Sequence, residues 1–277
     1  MSSAQKSGSQ WGHSYRLIAS EKWKAKSAAM GRDATDVLVD YARPTPGMKI
    51  LDLASGTGEP AITLASRIGP EGHVVALDLS PELLQIAEER GRERHLTNLT
   101  TRQADANNLP FPDQSFDLIT SRFGVMFLGE DSLRESCRVL RPGARACFLA
   151  WGPFEQPLFE STLGTVLRLT PGVTLPEAAG RMFRFARAGS LEGALREAGF
   201  RAVKEEHLTL RRIWAGSPQE LWEYQQEVGA LFQPMFQAIT ADARPRIDEA
   251  VWTALSRFQD GDTITVPVEV VVATGEN

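Results

Sequence analysis

The sequence predicts an α/β fold of the doubly wound kind, a mostly parallel sheet with helices on both faces, and three observations predict it. The run Met48-Lys49-Ile50-Leu51 leads into Asp52, a loop of small residues with Gly56 and Gly58 follows, and Pro60 opens an amphipathic run carrying Ile62, Leu64 and Ala65. A second apolar run, Val74-Val75-Ala76-Leu77, ends at Asp78, twenty positions after Gly58. Beyond it strands and helices keep alternating, which implies parallel strands joined by right-handed crossovers.

The first loop carries chemistry. Gly56 and Gly58 lack a Cβ, so the backbone can take positive φ and lie close against a ligand, with the first helical N–H groups aimed at it. Such a loop is a nucleotide-type cofactor site, and Asp78 at the tip of the next strand is placed to hydrogen-bond both hydroxyls of a ribose. Two cofactors compete. Gly56-Thr57-Gly58-Glu59-Pro60-Ala61 formally fits a dinucleotide fingerprint. However, Asp52 at the loop mouth and Glu59 beyond it would repel a pyrophosphate. S-adenosylmethionine (SAM) presents a sulfonium and an ammonium there, and acidic residues then help.

Asp52-Leu53-Ala54-Ser55-Gly56-Thr57-Gly58 resembles motif I of the class I SAM-dependent methyltransferases, with Ala54 in place of the usual first glycine. Leu77-Asp78-Leu79-Ser80-Pro81, Ala104-Asp105-Ala106 leading to Leu109-Pro110-Phe111, Phe116-Asp117-Leu118-Ile119 and Arg138-Val139-Leu140-Arg141-Pro142-Gly143 follow in order. Together they resemble the small-molecule methyltransferases of the ubiquinone/menaquinone-biosynthesis type, over roughly residues 45 to 152. The resemblance implies a Rossmann-like seven-stranded sheet, mostly parallel with an antiparallel last strand, plus N-terminal helices and helical lid insertions. It implies SAM as cofactor, with S-adenosyl-L-homocysteine as product. Cofactor contacts are expected from Asp52, Ala54, Ser55, Gly56, Gly58, Asp78 and Leu79.

Taken in order, residues 1–10 are polar and Ser-rich and read as disordered. Residues 11–43 read as covering helices. Trp11, Tyr15 and Ile18 fall at helical spacing with Trp23 slightly out of step, a stripe that packs the segment onto the domain. In the family this segment lies over the cofactor cleft, where Tyr15 and Trp23 would wall the pocket. Asp33 is placed to cap a helix through Tyr41, stopped by Pro44 and Pro46. Ser80-Pro81-Glu82 supplies the N-cap, first-position proline and first-turn acid of the helix after the second strand.

The third strand, about Leu99 to Ala104, delivers Asp105 to its C-terminal edge. There a carboxylate would read an adenine amino group and Ala106 would supply a backbone N–H; the alternative is that Asp105 caps the next turn. The fourth strand runs from Phe116 into Ser121-Arg122-Phe123-Gly124-Val125-Met126-Phe127, a loop expected to line the floor between cofactor and substrate. Ser121 and Phe123 are assigned to the cofactor side, and Arg122 and Met126 to the substrate side. For Arg122 a structural role competes with that of substrate anchor.

Ala144 to Trp151 is the fifth strand and completes the SAM-binding core, 45–152. Residues 153–189, with Phe154, Phe159, Met182, Phe183 and Phe185, are placed over the active site as a lid by the resemblance; Phe154, Met182 and Phe183 are candidate acceptor contacts, with packing as the competing account. Residues 190–277 supply the rest of the sheet around a helical insertion at 217–258, and the whole of 1–277 is expected to be one domain. The strict alternation of Ile264, Val266, Val268, Val270 and Val272 marks a last strand with one face buried.

Methyl transfer is an in-line displacement, so the protein mainly aligns the groups and excludes water. A general base is needed only where the nucleophile must lose a proton, and His13 is the one histidine singled out for that test. Asp105 is followed by Ala106 and not by the Asp-Asn pair of catechol-type enzymes, so metal-independent transfer is expected. The absence of Asn-Pro-Pro-Tyr after the fourth strand argues against base and amide acceptors. A net charge of −5 gives no pull toward nucleic acid or an anionic membrane. A small, apolar or aromatic organic acceptor is expected, with a homodimer left open. Without a targeting motif or an apolar run long enough to span a bilayer, the reading is cytoplasmic, and Cys137 and Cys147 are expected buried and reduced. Two other function classes stay open: a SAM-fold protein that binds SAM without being a methyltransferase, and an NAD-dependent oxidoreductase. The latter is disfavoured by Asp52 and by the lack of a Tyr-x-x-x-Lys pair.

Overall fold

The computed structural model describes residues 22–277. The expectations for residues 1–10, for Tyr15 and for His13 lie outside the described residues. Helix α1 (Lys24–Met30) runs into α2 (Arg32–Ala42), which buries Ala34, Leu38, Val39 and Ala42 on one face. Gly31 holds the N-cap position of α2, and Asp33 sits in its first turn, where a carboxylate complements the helix dipole. The helix stops at Arg43, whose φ of 53° is left-handed, just ahead of Pro44.

The motif-bearing half then alternates β1 (Lys49–Leu53), α3 (Ala61–Ile68), β2 (His73–Asp78), α4 (Pro81–Glu93), β3 (Leu99–Gln103), β4 (Phe116–Arg122), α5 (Glu130–Val139) and β5 (Leu140–Trp151). The expected cap of α4 is present: Leu83 N–H donates to the Ser80 hydroxyl and Pro81 occupies the first turn. β5 starts at Leu140, four residues earlier than the alternation predicts. Phe116 pairs with Leu140 and Leu118 with Arg145, so an irregularity in register absorbs the Arg141-Pro142-Gly143 stretch.

After β5 come a helical run, Pro157–Phe159, Glu160–Gly164 with π-type turns and Thr165–Leu169, then short turns at Glu177–Gly180 and Arg181–Phe183. Helix α6 (Ser190–Glu197) leads into β6 (Arg201–Ala215), α7 (Pro218–Val228) and α8 (Arg244–Ser256), and β7 (Gln259–Asp260) turns back onto β8 (Thr263–Glu276). Ser217 and Glu220 close a reciprocal capping box on α7.

The sheet order is β3-β2-β1-β4-β5-β8-β6, parallel from β3 through β5, with β8 antiparallel to both β5 and β6. The two-residue β7 pairs with β8, so the sheet has eight strands where the sequence predicts seven. The extra one is too short to show a period-two pattern. In β8, alternate residues are buried from Ile264 to Val268, and Val270 to Ala273 are buried on both faces where the strand runs between β5 and β6. The strand order reverses between β1 and β4, which places a crevice at the C-terminal ends of those strands.

Candidate active site

The rim of that crevice is set by backbone geometry. Ala54, Gly56 and Gly58 all take positive φ, at 52°, 53° and 104°. A Cβ at Gly58 would lie 2.6 Å from Ile62 and 3.1 Å from Ala87, so glycine lets the loop pack directly onto α3 and α4. Arg90 on α4 clamps the loop, donating to the Thr57 carbonyl at 2.7 Å and to its hydroxyl at 3.1 Å.

Asp52 lies beneath the loop, fully buried. Its Oδ1 accepts from the Thr120 hydroxyl at 2.6 Å, whereas Oδ2 is buried without a hydrogen-bond partner. Burial pushes its pKa up to about 7 against the lowering effect of the Thr120 and Ser55 hydroxyls and of the Arg122 charge. Glu59 is engaged elsewhere: Thr63 donates to it at 2.7 Å and Arg94 pairs with it at 3.3 Å. Of the two loop acids, Asp52 is the one that keeps an oxygen without a hydrogen-bond partner.

Asp78 is drawn across to the loop. Gly56 N–H donates to its Oδ2 at 2.9 Å and Ser80 N–H to its Oδ1 at 3.0 Å. Burial raises its pKa, and those two backbone donors oppose the rise. Next to it Leu79 exposes 44% of its surface, an uncovered apolar side chain beside the strand end. Asp105 is exposed and caps the following turn, accepting from the Asn107 backbone N–H at 2.9 Å and from its side-chain amide at 2.8 Å. Ala106 is buried behind it.

A cavity of about 760 Å³ adjoins the glycine loop at Thr57 and Glu59 and reaches Phe123, Trp151, Phe159, Met182, Arg212 and Tyr224. Phe123 takes φ 57°, an outlying value for a bulky residue and of the kind that clusters at functional sites. Its ring stacks on Trp151, centroids 4.3 Å apart and planes within 12°. Phe159 meets Trp151 edge-on at 5.3 Å. Arg122 lines the same space, and its Nη1 donates to the Gly31 carbonyl at 3.0 Å and to the Thr35 hydroxyl at 2.6 Å, tying β4 to α2.

Most residues assigned from sequence stand outside this cavity, among them the cofactor candidates Asp52, Ala54, Gly56, Gly58, Asp78, Leu79, Asp105 and Ala106. Trp23 is buried against Trp214 at 5.7 Å and Tyr224 at 5.5 Å, where it fastens α1 to β6 and α7 rather than walling a pocket. Ser121 and Ser55 are buried with their hydroxyls donated to the carbonyls of Leu53 and Asp52, so they brace the loop from below. Met126 is fully buried, its sulfur accepting from Trp151 N–H at 3.2 Å. Phe154 and Phe183 contact each other at 5.5 Å and Phe159 at 6.2 and 5.1 Å, a cluster of which Phe159 faces the cavity. Met182 is the lid candidate that lines it.

Trp151 and Arg212, on the wall, are not singled out by the sequence. Trp151 ends a strand, where open α/β sheets bind ligands. Arg212 interrupts the same-face row Leu208, Leu210, Trp214, and a charge in an apolar row is the readable signal. Tyr224 belongs to the surplus of large side chains that the sequence offers to an apolar acceptor or to packing, and it lines the cavity. Among the described residues no group of three or more His, Cys, Asp or Glu could hold a metal ion, and no helix is long and apolar enough to cross a membrane.

Residues 50–143 match the family model described as a methyltransferase domain. The ubiquinone/menaquinone biosynthesis C-methyltransferase of Ectopseudomonas mendocina is 38% identical over 130 residues, 46% of this chain and 51% of that protein. The demethylmenaquinone methyltransferase of Listeria welshimeri is 42% identical over 108 residues, 38% of this chain and 46% of that protein. The chain thus spans about half the length of the curated relatives it matches. A solved SAM-dependent methyltransferase from Aquifex aeolicus superposes with a TM-score of 0.52 at 21% identity, covering 70% of this chain and 89% of that one, a likeness of fold. Residues 50–143 thus match a methyltransferase domain, and the similarity to the ubiquinone/menaquinone-biosynthesis enzymes spans less than half of the chain.

Proposed function

We propose that this chain transfers a methyl group from SAM to an aromatic small molecule seated against Phe123 and Trp151. The observation that carries the reading is that aromatic pair on the wall of a cavity that also meets the glycine loop at Thr57 and Glu59. The residues fit the cofactor: a left-handed loop with room for close approach, an orphaned buried carboxylate oxygen on Asp52, a strand-end acid at Asp78 and an uncovered Leu79. When bound, SAM supplies an electrophilic methyl group on a sulfonium. Asp78 retains lone pairs beyond the two backbone bonds it accepts, and these would take the ribose hydroxyls. Leu79 would cover one face of the adenine, and Asp105, with one oxygen committed to its cap, would offer the other to the adenine amino group. Phe123, Trp151 and Phe159 would hold the acceptor ring and exclude water from it. The names of the curated relatives point to a quinone-type acceptor and to carbon as the methylated atom.

Calorimetry with SAM, S-adenosylhomocysteine and NAD tests the cofactor, followed by mass spectrometry of quinol and phenol mixtures for SAM-dependent gain of one methylene mass. Binding of SAM and its product with no NAD heat is expected. Tight NAD binding without SAM binding would overturn the reading.

A further inference from the structure

Arg212 is a cationic side chain on the cavity wall for which no ion pair is found among the described residues. Its Nε is buried without a hydrogen-bond partner. The guanidinium lies 4.9 Å from the Trp151 ring centroid. The neighbouring charged group is Arg122, of like sign, and Tyr224 is the nearby titratable group. Burial and the Arg122 charge bring the pKa of Arg212 down to about 10, although the Tyr224 phenol works the other way.

Leaving a charge out of water and unpaired is costly, so sheet packing gives no reason for an arginine in the row Leu208, Leu210, Trp214. A ligand that brings the opposite charge supplies the reason. The planar guanidinium fork matches a carboxylate or an ionised phenol and can remain stacked on an aromatic face while doing so.

We infer that the acceptor carries an anionic oxygen, as an aromatic carboxylate or phenolate, and that Arg212 receives it while the ring lies against Phe123 and Trp151. This rests on the methyltransferase reading and adds the acceptor's charge to it. The same anion chemistry could instead come from the aminoacyl carboxylate of the cofactor, and the experiment separates the two sources.

Titrate the protein, with and without S-adenosylhomocysteine, against 4-hydroxybenzoate and its neutral counterpart 4-hydroxybenzamide. The benzoate should bind roughly tenfold more tightly than the amide. Arg212→Gln should abolish that preference, Arg212→Lys should keep part of it, and both variants should retain the wild-type affinity for S-adenosylhomocysteine and a wild-type or higher melting temperature. Equal binding of the two probes to the wild-type protein overturns the inference. So does an Arg212→Gln protein that binds S-adenosylhomocysteine roughly tenfold more weakly while 5′-methylthioadenosine, which lacks the aminoacyl group, binds as before; that result gives the guanidinium to the cofactor. Failure of the wild-type protein to bind S-adenosylhomocysteine counts against the methyltransferase reading instead, and the probe comparison without it still decides the anion site.

Discussion

In the proposed reading, the cofactor loop and the aromatic cavity beside it are built on opposite principles. On the cofactor side most of the candidates lie between Asp52 and Ala106, and backbone does most of the work: three alternate residues at positive φ, carbonyls that accept from Ser55, Ser121 and Arg90, and N–H groups that converge on Asp78. On the acceptor side the wall is mostly side chains, drawn from α2, the ends of β4 and β5, the helical run after β5, mid-β6 and α7. The first arrangement tolerates few sequences because glycine and strand-end acids must recur at fixed spacing. The second tolerates many, since any residue of suitable shape can come from several places in the chain. In that reading the motif-bearing half reports the cofactor and the other half the acceptor.

The sharpest break of the cofactor side is Asp78→Ala. Loss of a charge-assisted contact to the ribose should weaken SAM binding roughly ten- to a hundredfold. The structure adds a second cost: Gly56 and Ser80 N–H groups lose their acceptor, worth about 1–3 kcal/mol of stability. Calorimetry and thermal melting should therefore both respond. A large loss of stability with an unchanged dissociation constant would make Asp78 a brace for the loop and nothing more.

On the acceptor side, neighbours should separate. Phe183→Ala, within the Phe154–Phe159 cluster, should cost about 2 kcal/mol of stability and leave acceptor kinetics alone. Met182→Ala, on the cavity wall, should raise the acceptor's KM while leaving SAM affinity unchanged. Matching KM changes in both variants would mean that the cluster moves as a lid, and the contrast between packing and wall would fail.

Asp52 tests the comparison by pH. Its folded pKa of about 7 stands above the ordinary 3.8, so the folded protein keeps a proton that the unfolded chain has lost between those values. Its contribution to stability is full below about pH 4 and is lost as pH rises through about 7. Asp52→Asn should remove that slope, so its melting temperature relative to wild type should climb between about pH 4 and pH 7 and level off above. A cationic cofactor favours the ionised form, so wild-type SAM affinity should rise over the same interval while that of the variant stays level. An identical pH profile for both proteins would take Asp52 out of the electrostatics of the site.

How much of this was legible in the sequence follows from the same contrast. The strand-helix alternation, the loop and the cap of α4 could be read because propensity, periodicity and turn chemistry agree there. The seating of Trp23 could not, because an aromatic stripe gives a buried face and no partner; Trp214 and Tyr224, about two hundred residues on, supply it. Ser121 and Met126 were assigned correctly to a strand end and its loop, but residues there alternate between cleft and core, and the alternation phase was unreadable across the left-handed turn at Phe123. Arg212 was readable as a charge in an apolar row and was not singled out.

The smallest expected effect belongs to the one departure from the motif. Ala54 occupies φ 52°, where a side chain costs about 1–2 kcal/mol that glycine does not incur, although glycine returns about 0.5–1 kcal/mol through the entropy of the unfolded chain. Ala54→Gly should therefore stabilise the protein by about 0.5–1 kcal/mol, a rise of roughly 1–3 °C in melting temperature, with SAM affinity unchanged. The Ala54 methyl also has a neighbour: a Cβ built on Gly124 would fall 2.5 Å from it and 2.7 Å from the Ser121 hydroxyl. Gly124→Ala should consequently be damaging in the wild-type background and less so beside Ala54→Gly, with the Ser121 clash remaining. If Ala54→Gly instead lowers the melting temperature, its methyl group is packing that holds the β4 loop in place, and the cofactor side is then fixed by side chains as well as by backbone.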